Sequence, residues 1–434
     1  MSPGSVAWAP EEAQITSRDC RISRDGEERS QAAAEPRSTF GEVFRIGEFR
    51  ALWMAQVLSV AGDQLARVAI TLLVFEQTRS ALLAAIAFAA SVVPTFAGGL
   101  ILSGLADRWP RRQVMIGCDL SRAVLVGLMA LPAMPIGVRV GLLFLVTMIG
   151  APFTSARAAL YPDILSGDRY VLGTAVTLTT LQFAQVVGFA AGGAVVGVFG
   201  VRTSLLADAA TFIFSAVITR LWVLARPAAR AAAPGAGPSP ALGHPLSGGL
   251  RLVFATPALL TPMLLGWLSA FYNVPEGVAA PLAHSLGGGA VATGLILAAG
   301  AFGASLGAVL FSRLVRPRRR LRWMSPLAIG SCAMLVLFAA RPTLPWALLV
   351  LVGSGLCDCY QLAANAAFVR AVPPGQRSQA FGIAQAGMSL GQGAAMVLAG
   401  AAAGRFAPSL VIATAGVLGI AAGTAIALSR VRAG

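Results

Sequence analysis

Ser103-Gly-Leu-Ala-Asp-Arg-Trp-Pro-Arg-Arg112 is a short charged stretch between two long apolar runs. Three arginines in a loop with such hydrophobic flanks are typical of a short cytoplasmic loop between two membrane-spanning helices. A second cluster, Arg316-Pro-Arg-Arg-Arg320, begins at an offset of 208 (316 − 108) from Arg108. The same offset pairs Arg111 with Arg319, Arg112 with Arg320, Ala158 and Ala159 with Ala366 and Ala367, Gly167 with Gly375, Arg169 with Arg377, and Gly192 with Gly400. This shared register predicts a duplicated membrane unit.

The composition of the chain places it in a lipid bilayer. Of its 434 residues, 56% are apolar and only 12% are charged, and the mean hydropathy is +0.75. No soluble domain of this length needs so much apolar surface. The net charge of +15 comes from arginine, since the chain contains no lysine. Because the arginines lie at the ends of apolar segments and form no continuous stripe, nucleic acid is not predicted as a partner.

Cysteine usage predicts neither disulfides nor a metal site. The five cysteines lie in the N-terminal segment or within apolar runs, so no disulfide framework is indicated. Cys357 and Cys359 are separated by one residue, with no second cysteine pair and no histidine nearby, which argues against zinc. We predict no metal and no cofactor.

Twelve apolar stretches have roughly the 20 residues that a helix needs to cross a bilayer. They lie at about 51–75, 80–103, 113–134, 138–156, 171–198, 203–225, 252–273, 290–311, 323–340, 345–368, 379–403 and 408–429. We predict an all-α polytopic membrane protein with two six-helix bundles, residues 46–225 and 250–434. The polar residues 1–45 are predicted to be a disordered cytoplasmic tail, and the Pro/Gly/Ala-rich residues 226–249 a cytoplasmic linker.

The distribution of arginine predicts the orientation in the membrane. Under this count, alternate loops carry clusters of arginines, whereas the opposite loops carry single ones. The single arginines are Arg79, Arg139, Arg202, Arg341 and Arg405. Because cytoplasmic loops are enriched in arginine, both termini and the linker are expected in the cytoplasm. The cell's inner membrane is the predicted location.

These features resemble the major facilitator superfamily over about residues 45–430. The charged stretch is similar to the family's loop between helices two and three, usually Gly-x-Leu-Ala-Asp-Arg-x-Gly-Arg-Arg. Leu105, Ala106, Asp107, Arg108, Arg111 and Arg112 match it, while Ser103 and Pro110 replace its glycines. The resemblance implies two bundles related by a pseudo-twofold axis, and a cytoplasmic gate formed by Asp107, Arg108, Arg111 and Arg112. A topology signal alone is the alternative for these four residues.

Three further segments resemble one branch of the superfamily. Gly188-Phe-Ala-Ala-Gly-Gly193 is similar to the helix-five motif of the antiporters, with Phe189 in place of proline. Gly188, Gly192 and Gly193 are the motif glycines, and plain helix packing is the alternative reading for them. Ala156–Asp163 and Leu206–Phe212 resemble the branch of macrolide-efflux and siderophore-export proteins.

Charged residues inside the apolar segments are the candidate site in the first half. Each costs at least about 2.5–3.5 kcal/mol to place in a bilayer. Gln56, Ser59, Asp63 and Arg67 follow helical spacing on one face of helix one. Asp63 and Arg67 are four residues apart and can pair directly. Asp63 is either a proton carrier modulated by Arg67 and substrate, or half of a permanent structural bridge.

Asp358 is the corresponding candidate in the second half, where it shares a helix face with Gln361 and Asn365. The family resemblance implies that helices one, four, seven and ten line a central cavity, which Tyr272 and Asn273 can join. Gln182 and Gln185 on helix five either line this cavity or bond across helices. Asp358 is a candidate for protonation, and the alternative is a neutral acid bonded to a backbone carbonyl.

Other membrane charges are expected to be structural. Asp119 and Arg122 are predicted to pair with each other, and Asp208 and Arg220 to serve in packing or at an interface. The arginine that many drug antiporters of the family carry on helix four is missing here, since residues 140–156 hold no charge. Proton coupling is therefore assigned to Asp63, Arg67 and Asp358.

The predicted function is export of a small amphiphilic compound by proton antiport and alternating access. No Gly-rich phosphate loop ending in Lys-Ser/Thr is present, so ATP is not expected to drive transport. A proton symporter or facilitator that takes up a metabolite is the alternative. An enzyme is not predicted, because no clustered His/Asp/Ser site is visible. The expected partners are the substrate, protons and the bilayer, and the protein is expected to be a monomer.

Overall fold

The computed structural model describes residues 40–102, 109–226, 256–373 and 377–433. Within these ranges every regular element is a helix. Asp107 and Arg108 of the predicted gate, the tail up to residue 39 and residues 227–255 of the linker region lie outside the described residues. The boundaries of the two predicted bundles, and their pseudo-twofold relation, therefore stay predictions.

The first half of the chain forms long helices that cross one another. They are α1 (Phe40–Arg45), α2 (Gly47–Thr78), α3 (Ala81–Ala89), α4 (Pro94–Leu102), α5 (Arg111–Met129), α6 (Ile136–Ile164) and α7 (Asp168–Trp222). Helix α1 occupies the end of the predicted tail, because the Phe44 ring packs edge-on against the rings of Phe49 and Trp53. Residues 40–45 are therefore helical, although the polar sequence around them predicted disorder.

The second half contains more interruptions than the first. Its helices are α8 (Pro257–Trp267), α9 (Ser269–Tyr272), α10 (Val274–Gly277), α11 (Ala279–Ser285), α12 (Ala290–Leu314), α13 (Pro317–Val336), a 3₁₀ helix (Leu337–Ala340), α14 (Leu344–Cys357), α15 (Tyr360–Ala371), α16 (Arg377–Ala403) and α17 (Pro408–Ala433). Helices α8, α13 and α14 each have a proline in their first turn, where its missing N–H would have no intrahelical partner.

Eight helical segments in the described ranges are long and apolar enough to cross a membrane, one of which combines α13 with the 3₁₀ helix and another α14 with α15. One of them, α7, has 55 residues and contains the fifth and sixth predicted spans. Gly200 separates the two with φ 77° and ψ 171°, a conformation that residues with a side chain rarely adopt. The second, third and seventh predicted spans fall on shorter or more polar helices. The count of twelve spans stays a prediction.

Proline interrupts two of the predicted spans without ending them. The second continues across residues 90–93 from α3 into α4, which begins at Pro94. The seventh was expected to end at residue 273, but short helices continue it to Ser285, with Pro275 in the first turn of α10. Helical structure therefore includes Glu276 and His284, which the sequence placed beyond the span.

Helix α6 is also longer than predicted. It runs to Ile164 through Pro152 and Pro162, so that Arg157 is a buried helical residue and not a loop residue. Its guanidinium carbon lies 5.9 Å from the centroid of the Tyr161 ring. The sequence could not indicate this, because proline and arginine together are typical of a span end.

The two halves of the chain meet at the end of the helices that carries Arg79 and His284. Nη1 of Arg79 lies 3.4 Å from Nε2 of His284, and the Phe75 ring packs against the same histidine with centroids 5.7 Å apart. Phe75, Ala84 and Ala280 form a buried apolar cluster beside them. Deeper in the bundle, α7 approaches α12 at Gly193 and Gly294. This end of the molecule is therefore closed.

Candidate functional site

An ion pair between a buried arginine and a half-buried aspartate lies within the helices of the first half. Arg122 on α5 reaches Asp63 on α2, with Nη2 and Oδ1 2.5 Å apart. Its Nη1 donates a hydrogen bond of 3.2 Å to Ser59, and its guanidinium carbon lies 4.0 Å from the centre of the Phe212 ring. The Arg122 side chain thus connects α5 with α2, which is the first predicted span, and with the sixth predicted span in α7.

This geometry corrects two pairings expected from sequence. Asp63 pairs with Arg122 and not with Arg67, and Asp119 accepts a hydrogen bond from Ser215 in place of pairing with Arg122. Spacing along one helix shows which side chains share a face, but a neighbouring helix provides the closer partner. Arg67 is half-buried and, within the part of the chain that the structure describes, makes no ion pair or hydrogen bond.

Two more carboxyl groups lie around the Asp63–Arg122 pair. Asp119 is fully buried and its Oδ2 accepts a hydrogen bond of 2.5 Å from Ser215. Asp208 is 1% exposed, and its Oδ1 lies 3.4 Å from the hydroxyl of Thr211. The Asp208 carboxyl packs directly on Gly62, where a Cβ would clash with it. The sequence predicted these acids to be structural, yet they share one polar cluster with Asp63.

Asp358 is the centre of a second cluster, in the other half. It lies at the break between α14 and α15, and the hydroxyl of Tyr272 donates a hydrogen bond to it. Nε2 of Gln361 donates to the same Tyr272 oxygen over 2.9 Å. The hydrogen-bond partner of Asp358 among the described residues is therefore a tyrosine and not a backbone carbonyl. The Tyr360 hydroxyl, beside that of Tyr272, donates a hydrogen bond of 2.8 Å to the Leu265 carbonyl.

Three adjoining cavities contact these clusters. The first, about 550 Å³, contacts Asp358, Gln361 and Asn365, and its apolar wall includes Trp267, Phe368, Phe381 and Met388. The second, about 270 Å³, shares Tyr272, Asn273 and Asp358 with the first. The third, about 350 Å³, is lined by Gln56, Ser59, Asp63, Arg67 and Arg122. Gln182 and Gln185 line both the second and the third cavity.

The helix-five glycines form close packing contacts. Gly188 faces Ala61 and Gln64 of α2, and Gly192 faces Leu65 and Val68 of the same helix. Gly193 faces the other half of the chain, where a Cβ would lie 2.6 Å from the Ala290 carbonyl oxygen and 2.8 Å from the Gly294 Cα. These positions therefore allow helices to approach at backbone distance.

The described arginines of the charged stretch bind the ends of neighbouring helices. Arg111 forms an ion pair of 2.6 Å with Asp163 and donates to the Ala159 carbonyl over 2.8 Å. Arg112 donates to the Arg220 carbonyl. A third contact at this end is a bidentate ion pair, in which Nη1 and Nη2 of Arg226 donate to Oε1 and Oε2 of Glu48 over 2.9 and 2.8 Å. These contacts tie helices of the first half together.

A family model and a related protein match this chain. A model of the Major Facilitator Superfamily matches residues 52–359 and again residues 277–433. The chain belongs to the Major Facilitator Superfamily. The enterobactin exporter EntS of Shigella boydii serotype 4 (strain Sb227) is 26% identical over 306 residues, which are 68% of this chain and 70% of that protein.

Several transporters of known structure share the fold of this chain at low sequence identity. A POT family transporter in complex with a thioalcohol-conjugated peptide gives a TM-score of 0.69 at 11% identity, over 88% of this chain and 96% of that one. The nucleoside transporter NupG gives 0.64 at 14%, over 87% and 98%. A bacterial homolog of the human lysosomal transporter Spinster gives 0.61 at 17%, over 88% and 93%. These likenesses concern the fold alone.

As a superfamily member, the protein is a multi-pass membrane transporter. Glu276 is one acidic residue of its cavities that the sequence analysis did not assign to the site. Glu276 lies on α10 and lines the second cavity together with Asp358. The seventh predicted span ended at about residue 273, so that Pro275 and Glu276 lay beyond it. The signal that could have found it is the apolar run after Pro275, which continues to Ala283. No group of residues able to hold a metal ion occurs among the described ranges.

Proposed function

We propose that this superfamily transporter exports a small amphiphilic compound across the inner membrane in exchange for protons. One observation carries the proposal: Asp63 and Asp358, on opposite halves of the chain, contact cavities that adjoin through Gln182 and Gln185. Protonation of either carboxyl changes the charge that a substrate meets in the cavity. The substrate and the proton thereby compete for the same polar surface.

The cavity walls favour a substrate with both apolar and polar parts. Trp267, Phe368, Phe381 and Met388 provide an apolar surface beside the amide groups of Gln361 and Asn365. Mostly apolar walls with a few polar groups are typical of small-molecule sites. The likeness to an enterobactin exporter supports a siderophore or a comparable secondary metabolite, and it supports export over uptake.

The orientation proposed from arginine makes this an inward-facing state with both termini in the cytoplasm. The end with Arg79 and His284 is closed, and the arginine-rich end lies opposite. Alternating access then requires the contacts at Arg79 and His284 to open while the cytoplasmic end closes. Asp107 and Arg108 are proposed to complete that cytoplasmic gate together with Arg111 and Arg112.

Proton exchange can be measured in liposomes that contain a pH dye and the compound, with an inward-directed proton gradient. We expect internal acidification that depends on enterobactin, a macrolide or an amphiphilic cation, and loss of this flux in Asp63→Asn or Asp358→Asn. Arg405→Gln, on an exposed residue, serves as the control. Compound flux without proton movement, unchanged in both variants, would show that the protein is a facilitator or uses another ion.

Removing the Tyr272 hydroxyl should disable the second cluster without changing its charge. Tyr272→Phe leaves Asp358 without its donor and removes the shorter of the two hydrogen bonds that Gln361 Nε2 donates, leaving the one of 3.3 Å to the Gly266 carbonyl. Such a loss costs about 1–3 kcal/mol, so we expect transport to fall by roughly tenfold or more. Tyr161→Phe is the matched control, because it removes a buried hydroxyl contact of 3.2 Å to Thr177 outside the cavities. Equal rates in the two variants would contradict the role given to Tyr272.

A further inference from the structure

The polar cluster of the first half contains three carboxyl groups around one guanidinium. Arg122 interacts electrostatically with Asp63, Asp119 and Asp208 together. Asp119 is 0%, Asp208 1% and Arg122 4% exposed. The other titratable groups near the cluster are Cys118, beside Asp119, and Arg67, which interacts with Asp63 from the next turn of α2. If all three acids were ionised, three negative charges would interact with the one guanidinium of Arg122.

Hydrogen bonding separates Asp63 from the other two acids. Asp63 has the ion pair with Arg122, whose Nη1 is occupied by Ser59. In contrast, Oδ1 of Asp119 and Oδ2 of Asp208 are buried and have no hydrogen-bond donor among the described residues. An ionised carboxylate with a buried, unpaired oxygen is far more costly than a neutral acid. The buried oxygen without a donor in each carboxyl group therefore favours the protonated form of Asp119 and of Asp208.

Asp208 is placed to exchange partners with Asp63. Its carboxyl packs against Gly62, the residue next to Asp63, because Gly62 has no side chain to occupy that space. Phe212 follows Asp208 by one helical turn, and its ring lies 4.0 Å from the Arg122 guanidinium carbon. Nε of Arg122 is buried and has no acceptor in the part of the chain that the structure describes. Asp119, by contrast, is already bonded to Ser215.

We propose that Asp119 and Asp208 hold protons while Arg122 is paired with Asp63, and that Asp208 becomes the partner of Arg122 when Asp63 is neutralised. When a proton from cavity water binds the Asp63 carboxylate, Asp63 becomes neutral and its ion pair with Arg122 is lost. The O–H bond of Asp208 then breaks, its proton leaves to water, and the resulting carboxylate pairs with Arg122. One proton enters and one leaves, so the charge of the cluster is conserved. This exchange rests on the proposed proton coupling, but the proton-bearing state does not.

Infrared spectroscopy of the protein in lipid, without substrate or gradient, tests both parts. The C=O stretch of protonated carboxyl groups should lose the intensity of about one acid in Asp119→Asn and in Asp208→Asn at neutral pH. Asp63→Asn removes a group that is ionised in the native protein, yet it should also lose about one acid, because Asp208 ionises to pair with Arg122. Glu76→Gln, on an exposed residue of α2, should leave the band unchanged.

Contrary results are equally specific. An unchanged band in both Asp119→Asn and Asp208→Asn would overturn the proton-bearing state, and an unchanged band in Asp63→Asn would overturn the partner exchange. If an Asn variant does not fold, Asp208→Glu or Asp119→Glu replaces it, since a protonated glutamate shifts the band in place of removing it. Loss of proton-coupled transport with these band changes intact would count against the proposed function alone.

Discussion

Replacing Arg122 by methionine is expected to abolish transport and to destabilise the protein strongly. The guanidinium is buried, pairs with Asp63 over 2.5 Å and bonds Ser59. Removing one partner of a buried pair costs about 3–5 kcal/mol, because the other charge is left uncompensated. The measurement is the thermal unfolding midpoint in detergent, together with transport in liposomes.

The loss in Arg122→Met should depend on pH. At lower pH the carboxylate that has lost Arg122 takes up a proton and the uncompensated charge disappears, so the drop in midpoint should shrink as pH falls. Arg139→Met is the matched control for burial, since Arg139 is also buried but donates to the carbonyls of Met129 and Leu131 and pairs with no acid within the described ranges. Its loss should not vary with pH in this way. A midpoint in Arg122→Met equal to that of the native protein would contradict the role of this arginine.

Adding one methyl group at Gly193 should open the contact between the two halves. A Cβ there would lie 2.6 Å from the Ala290 carbonyl oxygen, so backbone atoms must move apart. Overpacking of this kind costs about 1–3 kcal/mol, which shifts the balance between closed and open states by roughly tenfold or more. The closed arrangement seen in the structure should lose population, and transport should fall.

Distances between spin labels measure this shift directly. Labels on Gln77→Cys and Ser285→Cys, both at exposed positions near the Arg79–His284 contact, should give one short distance in a background in which the five native cysteines are replaced. Gly193→Ala should add a longer distance. Gly197→Ala is the control, because a Cβ there lies 3.5 Å from Val291 in ordinary contact. Identical distances in both variants would show that the Gly193 contact does not control closure.

The sequence was most reliable where a single physical property repeats along the chain. Apolar length and arginine placement predicted an all-helical membrane protein, and the match to the Major Facilitator Superfamily confirms the family. It failed where neighbouring elements decide the outcome. Phe44 orders the end of the tail by packing on Phe49, and Pro275 lies in the first turn of a short helix that continues beyond the predicted end of the seventh span.

The candidate site shows the same division. Helical spacing alone placed Asp63 beside Gln56 and Ser59, and the three side chains do line one cavity. Spacing also placed Asp358 with Gln361 and Asn365, which line the same cavity of about 550 Å³. The grouping of side chains along one helix follows from its regular turn, so it can be predicted without any knowledge of the fold.

Partners across helices were decided only by the tertiary structure. Arg122 is 59 residues from Asp63, and Tyr272 is 86 residues from Asp358. Charge and periodicity specify that a buried acid needs a partner, but several arginines and hydroxyl groups meet that need equally well in one dimension. Which of them lies within hydrogen-bond distance depends on how helices pack, and small residues such as Gly62 and Gly193 set that approach. The chain alone therefore determined the membrane fold and the charged faces, and packing determined the pairs.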